Sequence, residues 1–80
     1  MHEDIRRIIA EHGHLAVDIS SISDDHSLFD AGMSSHSAVG LMMAIEDHFS
    51  IEVPDAELKR SNFESVAAIA RLLGRIQTTP

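Results

Sequence analysis

Three stretches of this chain repeat apolar residues at the i, i+3, i+4 interval, and none reads as a convincing strand, so the fold must be built from packed helices. Ile5, Ile8, Ile9 and Ala10 predict a first helix from about residue 3 to 12, closing near Gly13. Ala38, Leu41, Met42, Ile45 and Phe49 predict a second over about 35 to 49. The run "SIEVPD" follows it, briefly extended, and Pro54 stops any backward continuation. Asp55 starts a short turn of helix in "DAELKR". The last helix is expected to open at "SNFE", where Ser61 and Glu64 have capping-box spacing, and to continue through Val66, Ile69, Leu72, Leu73 and Ile76. Residues 14 to 34 are irregular, with Ile19, Ile22, Leu28 and Phe29 as isolated apolar anchors. A loop this long inside a compact domain is usually functional or packed by its own side chains. The expectation is an all-α domain over residues 1–80, a small bundle of three main helices and one short one, frayed at 1–2 and 77–80.

Length and charge narrow the function. A chain of 80 residues buries only about 60% of its extended surface. That leaves one thin core and little room for a catalytic cleft. Thirteen acids against six bases give a net charge of −7. The bases (Arg6, Arg7, Lys59, Arg60, Arg71 and Arg75) are scattered, so there is no basic stripe for nucleic acid and an acidic surface suited to basic partner proteins. No apolar run approaches the roughly 20 residues of a membrane span. The opening "MHEDIRRII" is unlike a secretory signal, and the lack of Cys fits a cytoplasmic location.

On a helical wheel, Val39 and Met43 fall outside the core stripe of the second helix, on a face shared with His36, Gly40, Glu46 and Asp47. Two readings stand: lone apolar residues of the ordinary kind, or a docking surface on which flexible methionine accommodates several partners. Spacing does not choose between them. The same helix opens on "DAGMSSHSAVGLMM", with Ser34, Ser35 and Ser37 close together. A helix N-terminus offers unpaired N–H groups and partial positive charge, so a serine there is either a cap or a place for an attached phosphate. A serine nucleophile would need a base and an oxyanion hole. His36 points about 100° away and no Gly-x-Ser-x-Gly elbow is present, so a hydrolase is not expected. A serine modified by another enzyme needs no base of its own. The six histidines include no i, i+4 pair, and "SDDHS" lacks the glycine and distal glutamate of a calcium loop, so no metal site is expected.

The run "LFDAGMSSHSAVGLMMAIEDHFSIEVPD", residues 28 to 55, resembles the core of an acyl or peptidyl carrier protein. Such proteins show a leucine–phenylalanine pair in the loop, a glycine three residues before the modified serine, and an apolar helix ending in an acidic stretch and a phenylalanine. Matching Gly32, Glu46, Phe49 and Pro54 to that pattern places the modified serine at Ser35. Ser34 and His36 depart from the common Asp-Ser-Leu, and in this the chain looks more like the stand-alone bacterial aminoacyl carrier proteins. The resemblance implies the four-helix carrier fold and no enzymatic activity. It implies a 4′-phosphopantetheine arm on Ser35, added from coenzyme A by a phosphopantetheinyl transferase whose metal is its own. It implies loading by an amino acid:carrier protein ligase resembling seryl-tRNA synthetase, or by an acyl-loading enzyme, and a downstream acceptor enzyme. Carried over in the same way, His36, Val39, Met43, Glu46 and Asp47 form the recognition face, with Asp30 and Met33 as further positions. The competing reading is a non-carrier helical adaptor that binds a partner through Val39 and Met43.

Overall fold

The computed structural model describes residues 2–77 as three α-helices, α1 (His2–His12), α2 (Ser35–Phe49) and α3 (Val66–Gln77), joined by a long loop and short 3-10 turns. His2 and Gln77 are the first and last helical residues, whereas residues 1 and 78–80, also expected to fray, lie outside the described residues. Helix α1 packs against both α2 and α3. The apolar stripes meet where periodicity placed them. Ile5 and Ile9 from α1, Leu41 and Ile45 from α2, and Val66, Ile69, Leu72 and Leu73 from α3 are fully or almost fully buried. No helix among the described residues is long and apolar enough to cross a membrane.

The 14–34 loop closes the core. Leu28 is fully buried and Met33 is 3% exposed, so both belong to the hydrophobic cluster. Arg6 on α1 straps the loop down: its guanidinium donates to the Ile19 and Ile22 carbonyls and to the Asp24 carboxylate at 2.7–3.2 Å. A short turn at Ile19–Ser21 is capped by Asp18, whose carboxyl is held below its ordinary pKa by the Ser20 N–H and then by the Ser20 hydroxyl. At the far side, Leu28 N–H donates to the Glu64 carbonyl and Ala67 N–H to the Asp24 carbonyl, tying the loop to the start of α3.

Helix α3 begins at Val66, not at the Ser61–Glu64 spacing, and this corrects the expected start. Arg60–Asn62 is a 3-10 turn, and the one between Pro54 and Leu58, Asp55–Glu57, is also 3-10. The true cap is Ser65: its hydroxyl accepts from Ala68 N–H at 3.0 Å, and its carbonyl takes Ile69 N–H. Phe63 is buried, so the chain must turn inward before the helix can start. Ser65→Ala is therefore expected to cost about 1 kcal/mol, the usual worth of a serine cap. Ser61→Ala is expected to cost less than about 0.5 kcal/mol, as at other exposed positions. Urea midpoints would reverse in order if the capping box were real.

Candidate functional site

The entry to α2 is built by the turn before it. Ala31, Gly32 and Met33 donate their N–H groups back to Leu28 and Phe29, and Ala16 N–H donates to the Ala31 carbonyl at 2.8 Å. Gly32 sits at φ +112°, and a Cβ there would lie 2.7 Å from the Ala16 nitrogen. The glycine three residues before Ser35 thus has two physical reasons: a backbone that side chains avoid and a neighbouring strand of loop pressed against it.

The three serines separate cleanly. Ser34 is the N-cap, with φ −89° and ψ 166°, and its hydroxyl oxygen accepts from Ser37 N–H at 3.0 Å. The Ser37 hydroxyl is 3.0 Å from that of Ser34, so these two are tied to each other. Ser35 is the first helical residue, exposed, and its hydroxyl has no hydrogen-bond partner among the described residues. The first turn of α2 contains no acidic residue, so nothing there opposes the partial positive charge of the helix end.

Ser35 opens onto a groove of about 340 Å³. Ala38, Val39 and Met42 form its α2 wall; Phe29 and Phe63 line it from the loops, and Leu58, Lys59 and Arg60 form the opposite lip. The Arg60 guanidinium lies 3.8 Å from the centroid of the Phe29 ring, a cation–π contact. An exposed, uncommitted hydroxyl at a helix N-terminus, beside an apolar groove with cations at its rim, suits a long, flexible arm attached through a phosphodiester. Among the described residues no three His, Cys, Asp or Glu side chains converge as a metal site.

Of the expected recognition positions, Val39 and Met43 are 55% and 60% exposed, and His36, Asp47 and Asp30 are also exposed. Two behave differently. Met33 is buried in the core and presents no side chain to a partner, which corrects its expected role. Glu46 is half-buried because its carboxylate accepts Val53 N–H at 2.8 Å, pinning the chain as it leaves α2. That exit runs through Ser50 in the left-handed region at φ 54°, with Ile51 N–H donating to the Glu46 carbonyl. Sequence reading missed Lys59 and Arg60 as neighbours of Ser35, since only the folded chain brings the second loop against α2.

Comparison with known proteins places the fold and the family. The family model described as "Phosphopantetheine attachment site" matches residues 3–73. An aminoacyl carrier protein from Agrobacterium fabrum is 44% identical, over 86% of this chain and 83% of its own length. A crystal structure of an engineered Bradyrhizobium japonicum glycine:[carrier protein] ligase complexed with a carrier protein from Agrobacterium tumefaciens and AMP superposes with a TM-score of 0.90 at 40% identity, covering 92% of this chain and 99% of the matched one. A second, of a Bradyrhizobium japonicum glycine:[carrier protein] ligase with a glycylated carrier protein, gives 0.76 at 25% identity, covering 89% and 95%.

Proposed function

This chain belongs to the phosphopantetheine-bearing carrier proteins and is not an enzyme, and from that premise we propose that Ser35 carries the arm and that the cargo is a small amino acid held as a thioester. One observation carries the choice of serine: Ser35 alone of the three has an exposed and uncommitted hydroxyl, whereas Ser34 and Ser37 are spent on capping the helix and on each other. When attached, the 4′-phosphopantetheine arm supplies the thiol that a chain without Cys lacks. The chain's own residues present that thiol. The α2 amides at Ser35 and His36 and a first turn without acidic residues suit the phosphate, and the rigid turn at Gly32 fixes where the arm leaves the surface.

The aminoacyl reading is supported by the 44% identical aminoacyl carrier protein and by carrier proteins seen with glycine:[carrier protein] ligases. In this reading the Val39/Met43 patch, bordered by His36 and Asp47, is where such a ligase and a phosphopantetheinyl transferase dock, with Asp30 at the edge. It is the recognition face of a carrier, not of a free-standing adaptor. Glu46 contributes only what its Val53 contact leaves free. A cytoplasmic location, where coenzyme A and ATP are at hand, belongs to the same proposal, as does a downstream enzyme that accepts the aminoacyl group.

The test is loading. Holo protein incubated with ATP and a purified glycine:[carrier protein] ligase is expected to gain the mass of one small aminoacyl group, labile to hydroxylamine as a thioester is. Acceptance of malonyl or fatty acyl groups alone would overturn the aminoacyl assignment and leave the carrier standing.

A further inference from the structure

Three of the six cations in this acidic chain are paired: Arg6 with Asp24, Arg7 with Asp4 and Arg75 with Glu57. Lys59 and Arg60 have no carboxylate partner among the described residues, and both stand on the rim of the groove that Ser35 enters. Glu57, two residues before Lys59, is committed to Arg75 at 3.1 Å and is not available to neutralise them. Arg60 is exposed but stacks on Phe29, so its guanidinium is placed beside the groove. Two adjacent, uncompensated positive charges lining the same groove as an attachment serine, in a protein of net charge −7, call for an anion, and the anion fixed at that serine would be a phosphodiester.

We propose that Lys59 and Arg60 form a cationic seat for the phosphodiester on Ser35, tethering the root of the arm against the 3-10 segment and so restricting the directions in which its distal end is offered. The inference rests on Ser35 being the attachment serine. It assigns these two residues a positioning role toward the arm, distinct from the Val39/Met43 face that would meet partner enzymes.

Holo and apo forms of the full chain, labelled with 15N, test it by amide chemical shifts, together with the 31P signal of the phosphodiester. Attachment is first checked on the same sample by intact mass and by mapping to Ser35; failure there overturns the attachment reading itself. With Ser35 modified, conversion to holo is expected to shift the amides of Lys59 and Arg60 as well as those of residues 34–37. Raising ionic strength from about 0.01 M to about 1 M shortens the Debye length from about 30 Å to about 3 Å and should return the Lys59 and Arg60 amides toward their apo positions. In the double variant Lys59→Gln/Arg60→Gln the holo-dependent shifts should be confined to residues 34–37 and the 31P line should lose its salt dependence, while Arg60→Lys, which keeps the charge and loses the stack, should retain both effects. Holo shifts that stop at α2 in the wild-type chain, or that persist unchanged at high salt or in the double glutamine variant, would overturn the seat and leave the attachment at Ser35 intact.

Discussion

Ser35→Ala is expected to abolish modification outright. Incubated with coenzyme A and a broad-specificity phosphopantetheinyl transferase, the parent chain should gain the mass of one phosphopantetheine, and Ser35→Ala should gain none. Ser37→Ala should be modified as readily as the parent, because the Ser37 hydroxyl reaches only that of Ser34. Ser34→Ala is the informative control. It removes the oxygen that takes Ser37 N–H, at a cost to the helix of about 1 kcal/mol. If that whole cost fell on the transferase's transition state, the rate would drop no more than about tenfold, since 1.36 kcal/mol is one decade. The contrast is therefore total loss at one serine against a modest slowing at its neighbour. Modification that survives in Ser35→Ala would remove the basis for every role assigned to this end of α2.

The helices were legible because each must bury a stripe, and burial leaves its period in the sequence. Helix α2 runs over Ser35–Phe49, the bounds read from its apolar spacing and serine cap. The start of α3 was not legible. Ser61 and Glu64 have the spacing of a capping box, but local spacing does not know that Phe63 must be buried or that Ala67 N–H donates to the carbonyl of Asp24, far away in the first loop. A helix begun at Ser61 would deny the chain both contacts. Side-chain reach misleads in the same way. A wheel places Glu46 on the face with Met43, yet its long side chain bends back to Val53 N–H. Met33 lies in a loop, where no wheel applies, and the tight turn between Leu28 and Met33 tucks it into the core. The pairing of Lys59 and Arg60 with Ser35 is of the same kind, since two segments more than 20 residues apart meet only through tertiary packing.

Gly32 and Gly40 give a paired test of whether the turn before α2 is as constrained as the geometry requires. Gly40 lies inside α2, exposed, and a Cβ there would meet nothing within 4 Å. Gly40→Ala should therefore stabilise the chain by up to about 1 kcal/mol, through the lower entropy of its unfolded state and the better helix propensity of alanine. Gly32→Ala should do the opposite. A φ of +112° is poor for any residue with a side chain, a penalty of about 1–3 kcal/mol. The new Cβ would also stand 2.7 Å from the Ala16 nitrogen and 2.9 Å from the Ala16 Cβ, and the first of these is backbone that cannot swing aside. Relieving that overlap adds a further cost of about 1–3 kcal/mol. The sum, about 2–6 kcal/mol, is a large part of the roughly 4–12 kcal/mol available to a domain of 80 residues. At about 4–8 °C per kcal/mol, Tm should fall by at least about 8 °C. Because the Ala16–Ala31 bond and the turn from Leu28 to Met33 set the position of the Ser34 cap, the folded fraction of Gly32→Ala should also be modified more slowly than that of Gly40→Ala. Thermal and urea unfolding of the two variants, followed by helical circular dichroism, decide the matter. If Gly32→Ala stays within about 0.5 kcal/mol of the parent chain, the range of an ordinary surface change, then the turn yields without strain and does not hold the entrance of α2 in place.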